Sequence, residues 1–242
     1  LTVLKALNRE IDIKAVKRIE REFLAIVKSV ERLQKNKRTA TQNQAWMSWD
    51  TIIDKREVLE KEALASDNFF KTLDWLLLSL YTAIGPRRVK DYQLMYVVKS
   101  ADKIEGKDKN YYVIDDKSFV FYNYKTHRKY GEVKIDIADE ENGEYMLQVL
   151  DYYLKVYPPE LKDENGFPLL IQERSMSAIK NSNWITRRLN KILGKNISVS
   201  MLRHIFLTEK YGAEGLESLN KRIEEAKQMG HSIEQQQRYI LT

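Results

Sequence analysis

The sequence contains no cysteine among its 242 residues, and it has only three histidines, His127, His204 and His231. The absence of cysteine excludes disulfide bonds and thiolate metal sites, and it suits an intracellular protein. Three histidines so far apart do not form the ligand pattern of a histidine-rich metal site. The sequence therefore predicts no bound metal.

Long apolar runs are also absent. The run from Trp75 to Leu80 is far too short to cross a bilayer, and the first residues show no signal-peptide pattern. Hydrophobic residues make up 43% and charged residues 31% of the chain, which is the balance of a protein that folds in water. We expect a soluble intracellular protein, with room for one large domain or two smaller ones, and no membrane partner.

Basic residues outnumber acidic ones. The chain has 41 Lys and Arg against 35 Asp and Glu, which gives a net charge of +6 and a pI of about 9.2. This excess attracts polyanions without proving that one is bound. Nucleic acid is therefore the favoured partner.

The first forty residues form a separate part of the chain. Apolar residues recur at three and four from Ile11 to Leu33, which predicts an amphipathic helix with a basic outer face. The polar stretch that follows reads as a linker, so we place a domain boundary near residue 40, between domains 1–40 and 41–242. Lys35, Lys37 and Arg38 are either ordinary linker residues or contacts to DNA phosphates.

The rest of the chain predicts an α+β fold that is mostly helical with a small antiparallel sheet. Helices are expected over Met47–Leu64 and Phe69–Ile84, and Gly85-Pro86 ends the second one. Beyond Asp139 the chain reads as helical, interrupted at 157–159 and 165–168. Four segments rich in Val, Ile, Tyr and Phe predict the strands: Gln93–Lys99, Tyr111–Ile114, Ser118–Asn123 and Glu132–Ile137.

Near the end of the chain, Gly230 is expected to stop a helix over Leu216–Met229 as a left-handed cap. Ser232 has the pattern of a capping box that starts a new helix, which would carry Tyr239. One continuous helix would separate the side chains of His231 and Tyr239 by roughly 12 Å. The break at Gly230 allows them to converge.

Four motifs in sequence order carry a resemblance to a known family. Leu80–Asp91 resembles the first arginine motif of the tyrosine recombinases, in which Arg is followed three residues later by an acid, and this spacing selects Arg88 over Arg87. Tyr124-Lys125-Thr126 is similar to the family's lysine hairpin, and Ser198–His204 resembles its second box. Met229-Gly230-His231-Ser232 resembles the Leu-Gly-His-Ser motif that precedes the nucleophilic tyrosine.

The resemblance covers roughly residues 40–242 and implies a catalytic domain that breaks and rejoins DNA. Residues before 40 resemble the tail of the family's helical core-binding domain. The implied catalytic residues are Arg88, Lys125, Arg203, His231 and Tyr239; implied DNA contacts are Lys35, Lys37, Arg38, Arg87 and Ser200. No cofactor is implied, because a covalent phosphotyrosine retains the energy of the cleaved bond.

This sequence departs from the family pattern in two places. Ser200 stands where the second box usually has its first histidine, so a hydroxyl replaces an imidazole. We expect Lys125 to take over the proton transfer that this histidine would perform. The spacing from His231 to Tyr239 is also one residue shorter than the commonest in the family. Tyr239 keeps the role because no other tyrosine follows His231.

Structural alternatives exist for several of these residues. His231 can merely cap a helix, His204 lies in an apolar run and is assigned to structure, and Arg203 can form an ion pair with Asp91 or Glu209. Lys125 can be one of several solvated charges at a hairpin tip. The joint pattern is more specific than any single motif.

The resemblance thus implies a site-specific recombinase or integrase that binds double-stranded DNA, as a tetramer on two DNA sites and as a monomer or dimer when free. The form of Gly85–Tyr92 resembles recombinases of large DNA viruses and mobile elements more than the cellular chromosome-dimer resolvases. If the protein is viral, we expect it in a host nucleus or viral replication compartment. The alternatives are a type IB topoisomerase with the same chemistry and a non-catalytic DNA-binding protein that retains the fold. Ser200 favours the last of these.

Overall fold

The computed structural model describes residues 17–24, 38–211 and 225–230. The chain divides into two compact units, residues 1–37 with 242 and residues 38–241. In the first unit, residues 17–24 are helical, as predicted for this part of Ile11–Leu33; the remainder of that range lies outside the described residues. The second unit contains the elements described below.

Four helices open the second unit: α1 (Ala40–Ala45), α2 (Trp49–Ser66), α3 (Phe69–Ser79) and α4 (Val89–Gln93). The side chains of Ser48 and Asn68 accept hydrogen bonds from the first backbone N–H groups of α2 and α3. Both predicted helices are therefore present. However, α3 ends at Ser79, and turns lead on to Gly85 and Pro86.

The main sheet contains five strands: β1 (Met95–Val98), β2 (Asn110–Val113), β3 (Ser118–Phe121), β4 (Val133–Asp136) and β5 (Phe167–Pro168). Their order in the sheet is β4-β3-β2-β1-β5. All four predicted strands are confirmed, but the prediction of an antiparallel sheet is wrong, because β1 and β2 pair in parallel. Residues 99–109 connect these two strands and are long enough for such a connection.

The sheet is covered on both faces. Tyr112, Phe119 and Phe121 belong to the main core, which the sheet shares with α3. Residues of opposite parity, including Tyr111 and Val120, form a smaller cluster with Ile104 from the crossover connection. This alternation fixes β3, and therefore the loop that follows it, on the helical core.

Four further helices follow: α5 (His127–Tyr130), α6 (Gly143–Val156), α7 (Asn183–Leu193) and α8 (Val199–Tyr211). The prediction of continuous helix after Asp139, apart from two breaks, is wrong between 167 and 178. There β5 pairs with β1, and β6 (Ile171–Gln172) pairs with β7 (Ser177–Ala178). Two-residue strands are too short to show a periodic pattern in the sequence.

The architecture is α+β, as predicted. None of the helices that the structure describes is both long enough and apolar enough to span a membrane. Residues 225–228 are helical, and Gly230 follows with a φ of +68°, the left-handed conformation expected of a helix stop.

Candidate functional site

A pocket of about 800 Å³ opens where α4, the loop after β3 and the first turns of α7 and α8 meet. It brings together Arg88, Lys125, Ser200 and Arg203, four of the predicted site residues, from three distant parts of the sequence. We call it the cationic pocket. Its described lining residues are Arg88, Val89, Lys90, Asp91, Asn123, Tyr124, Lys125, His127, Arg128, Ser182, Asn183, Thr186, Val199, Ser200 and Arg203.

Positive charge dominates this lining. Among the described residues that line it, five are lysine or arginine and one, Asp91, is acidic. Burial raises the pKa of the Asp91 carboxyl, and Arg87, Arg88 and Arg203 act against that rise by lowering it. One carboxylate thus faces several guanidinium groups, which leaves an excess of positive charge for an anionic ligand.

The position of Arg88 is set by its place at the start of α4 and by a hydrogen bond to Gly230. It is the N-cap residue of α4, with extended backbone geometry after Pro86. Its Nη1 donates a hydrogen bond of 2.8 Å to the carbonyl oxygen of Gly230. Its Nη2 is buried and donates to none of the described residues. A buried donor without an acceptor costs free energy unless a ligand supplies an oxygen.

Arg87 does not lie on the surface of the pocket. Its side chain is fully buried, its Nε donates to Asp91 Oδ2 at 3.0 Å, and its guanidinium lies 3.7 Å from the centre of the Phe121 ring. The prediction that Arg87 contacts DNA is therefore wrong. The acid of the first motif pairs with Arg87, and this pairing leaves Arg88 to face the pocket.

The loop after β3 holds Lys125 at the edge of the pocket. Lys125 itself is exposed, between the buried Tyr124 and the half-buried Thr126. The Tyr124 hydroxyl donates to the carbonyl oxygen of Gly131 at 2.9 Å, which closes the loop on itself. Thr126 Oγ1 donates to the carbonyl oxygen of Gly230 at 2.7 Å. A long flexible side chain is thus carried by a backbone with several fixed contacts.

The first turn of α8 contributes Ser200 and Arg203. Ser200 is exposed, whereas Arg203 is 1% exposed and donates through Nη2 to the carbonyl oxygen of Met229 at 3.4 Å. Arg203 also lies close enough to Asp91 to lower the pKa of that carboxyl. The ion pair that the structure shows for Asp91 is the one with Arg87.

Residues 225–230 bind directly to the pocket. The carbonyl oxygens of Met229 and Gly230 accept hydrogen bonds from Arg203, Arg88 and Thr126. A side chain at Gly230 would place its Cβ 3.3 Å from the Tyr124 ring and 3.4 Å from Arg88 Nη1. Glycine therefore permits both the positive φ and the close approach of this segment.

The remaining predicted residues either lie outside the described residues or do not line the cationic pocket. His231, Tyr239, Lys35 and Lys37 lie outside the described residues. Arg38 is half-buried, with its guanidinium 4.1 Å from the centre of the Trp46 ring, and it does not line the pocket. Within the part of the chain that the structure describes, no group of three or more His, Asp and Glu is arranged to hold a metal ion.

Sequence reasoning missed several lining residues, including Asn123, His127 and Arg128 in the hairpin loop and Ser182 and Thr186 at the start of α7. The two basic hairpin residues could have been found, because they follow Lys125 closely in the sequence. Nothing in the sequence of α7 marks its first turn as a pocket wall. Backbone N–H groups at a helix N-terminus favour negative charge, so this wall adds to the attraction of anions.

The cationic pocket is suited to a phosphate group, because planar guanidinium donors bind two oxygens at once and stay charged at any working pH. No protein-family profile matches the chain, and comparisons with curated proteins and with solved structures found no match either.

Proposed function

We propose that this protein is a site-specific DNA recombinase of the tyrosine recombinase type, with residues 41–242 forming a catalytic domain that breaks and rejoins DNA. The observation that carries this proposal is the cationic pocket. Arg88, Lys125 and Arg203 were selected from motifs up to 115 positions apart, and they line one cavity. Residues with unrelated structural roles would have no reason to meet around a single anion-binding site.

The contacts of residues 225–230 add support. The Leu-Gly-His-Ser-like motif begins at Met229, and the first two carbonyl groups of this motif bind Arg203 and Arg88. The next residue in the chain is His231. The first, third and last of the four motifs are therefore in direct contact.

In the proposed reaction, the hydroxyl oxygen of Tyr239 attacks a DNA phosphate and displaces the 5′ oxygen. Negative charge develops on the non-bridging oxygens of the phosphate, and Arg88, Arg203 and His231 stabilise it. Lys125 donates a proton to the leaving 5′ oxygen. The phosphotyrosine then reacts with a different 5′ hydroxyl, which regenerates the enzyme and joins a new strand. The proposed partners are two DNA duplexes bound by four protomers.

A suicide DNA substrate tests the proposal, because loss of a short 5′ fragment traps the covalent protein–DNA adduct. The native protein should form the adduct, and Tyr239→Phe should form none. Tyr152→Phe is the matched control: it removes a surface hydrogen bond to Asp67 outside the pocket and should leave adduct formation unchanged. An adduct with Tyr239→Phe would contradict the assignment of the nucleophile.

The same substrate separates the alternatives. Intact DNA binding without an adduct on any substrate would favour a non-catalytic protein, for which Ser200 is the supporting feature. Relaxation of supercoiled DNA without exchange between paired sites would favour a type IB topoisomerase.

A further inference from the structure

His127 is the histidine that lines the cationic pocket among the described residues. The other described histidine, His204, is half-buried in α8 and is not part of the lining. His127 was not predicted as a site residue. It lies two residues after Lys125, at the start of α5, and is exposed.

The orientation of the His127 ring is set by one hydrogen bond. Its Nδ1 lies 2.9 Å from the carbonyl oxygen of Tyr124. A carbonyl oxygen can only accept, so Nδ1 must carry the hydrogen. In the neutral ring the lone pair then belongs to Nε2, which makes no hydrogen bond to a described residue. The structure thus fixes the tautomer whose Nε2 can take up a proton.

The backbone that carries His127 has little freedom. The carbonyl oxygen of Tyr124 accepts a second hydrogen bond, from the His127 backbone N–H at 3.2 Å. Tyr124 is buried against the Arg87 guanidinium, and Thr126 is bonded to Gly230. The contacts of Tyr124 and Thr126, which precede the histidine in the sequence, therefore hold the imidazole at the pocket. A catalytic group needs this kind of positioning.

We infer that His127 is a catalytic residue, the general base that accepts the proton of the attacking hydroxyl. This inference rests on the proposed function. As the Tyr239 oxygen forms its bond to phosphorus, its proton moves to His127 Nε2. The bond from phosphorus to the 5′ oxygen breaks, and that oxygen takes a proton from Lys125. In rejoining, both protons return along the same routes, so the protein ends in its original state.

Because Ser200 cannot act as a base near neutral pH, the pocket needs a base from another residue. A serine hydroxyl does not titrate near neutral pH, whereas an imidazole does. Where Ser200 stands, the pocket has a hydrogen-bonding group without a base, and His127 supplies the base from the neighbouring hairpin.

The experiment is a single-turnover cleavage measurement over a range of pH with the full chain. The charged groups that line the same pocket as the imidazole are Lys125 and Arg128 from its own hairpin, Arg88, Lys90 and Asp91 from α4 with its cap, and Arg203 from α8. The native rate should rise with pH, as expected of a reaction that uses a general base. His127→Asn keeps an amide donor for the Tyr124 carbonyl but has no base, so its rate should be about 10²–10⁴-fold lower and should lack that rise.

Lys129→Gln is the control on the same helix, because Lys129 is exposed and does not line the pocket. It should retain the native rate and pH profile. A substrate with sulfur in place of the bridging 5′ oxygen separates base from acid, since a thiolate leaves without a proton. This substrate should restore cleavage by Lys125→Ala but not by His127→Asn.

A native rate and pH profile in His127→Asn would overturn the inference while leaving the proposed function intact, provided that the native protein forms the adduct and Tyr239→Phe does not. Recovery of His127→Asn on the sulfur substrate would also overturn it, because the defect would then lie with the leaving group. Failure of the native protein to form any adduct would count against the proposed function itself.

Discussion

Asp91 is the residue on which the arrangement of arginines beneath the pocket depends. It is fully buried, it accepts a hydrogen bond from Arg87, and its charge is close enough to Arg88 and Arg203 for both to lower its pKa. Removing one partner of a buried ion pair leaves an uncompensated charge in a medium that solvates it poorly. Loss of the Asp91 carboxylate should therefore destabilise the folded protein as well as disturb the arginines of the pocket.

We expect Asp91→Ala to lower the free energy of unfolding by about 3–5 kcal/mol, measured by urea denaturation. The double variant Arg87→Met with Asp91→Leu should lose less, because it leaves no buried guanidinium without its carboxylate. A loss in the double variant equal to the sum of the losses in Arg87→Met alone and Asp91→Leu alone would show that the pair is not coupled.

Glu140 contacts residues 225–230 and makes the stability of the protein depend on pH. Gln228 Nε2 donates to Glu140 Oε1 at 2.9 Å. Burial raises the pKa of the Glu140 carboxyl above 4.5, and Glu225 and Asp139 raise it further, against the opposite effect of Lys210. The folded protein therefore retains this proton to a higher pH than the unfolded chain does.

The contribution of Glu140 to stability is present at acidic pH and is lost as the pH rises above 4.5 and through the raised pKa of the folded state. We expect Glu140→Gln to remove this fall, so that the free energy of unfolding changes less with pH in that range. Urea denaturation at a series of pH values measures it. A steeper fall of stability with rising pH in the variant would mean that the sign of the shift is wrong.

At the scale of elements, the described residues 225–230 connect Arg203 of α8 to Arg88, the N-cap residue of α4. Gly230 is the position in this segment where an added Cβ would crowd the pocket residues Tyr124 and Arg88. Gly194 has almost the same backbone angle, with φ +67° against +68°, but a Cβ at Gly194 would meet nothing within 4 Å. The two glycines therefore separate the cost of the backbone angle from the cost of crowding.

We expect Gly194→Ala to cost about 1 kcal/mol of stability, which is the penalty of the left-handed angle alone. Gly230→Ala should cost more, because its Cβ presses on Tyr124 and on Arg88 Nη1. It should also slow adduct formation by about tenfold or more, whereas Gly194→Ala should not. Similar results for the two variants in both measurements would show that contact with Gly230 is unimportant for the site.

The elements also show where sequence reasoning succeeds and where it stops. Aromatic and β-branched residues located β1 to β4 correctly, because that composition reflects packing on both sheet faces. The parallel pairing of β1 with β2 depends on the path of residues 99–109, and composition does not record it. Likewise, the motif spacing favoured Arg88, which lines the pocket, over Arg87. The burial of Arg87 depends on the position of Phe121, far along the chain, and the spacing does not record it.

At the scale of the whole molecule, a net charge of +6 is too small to support the proposed DNA binding unless the charge is concentrated. Five lysine and arginine side chains lie around the cationic pocket. Each phosphate that such a group contacts releases counterions, so the logarithm of the binding constant should fall with the logarithm of salt concentration by about 0.9 per contact. The location of the charge then matters more than its total.

Substitutions that remove the same single charge from different places test this. Arg128→Gln and Lys90→Gln remove exposed charges at the pocket, and Lys155→Gln removes an exposed charge near the end of α6, outside the lining. We expect each pocket variant to reduce the salt slope by about 0.9 and to weaken binding to all sequences similarly, whereas Lys155→Gln should keep the native slope. Fluorescence anisotropy with labelled duplex DNA over a range of salt measures both quantities. If all three variants behave alike, the DNA senses only the net charge, and the pocket is not where the duplex lies.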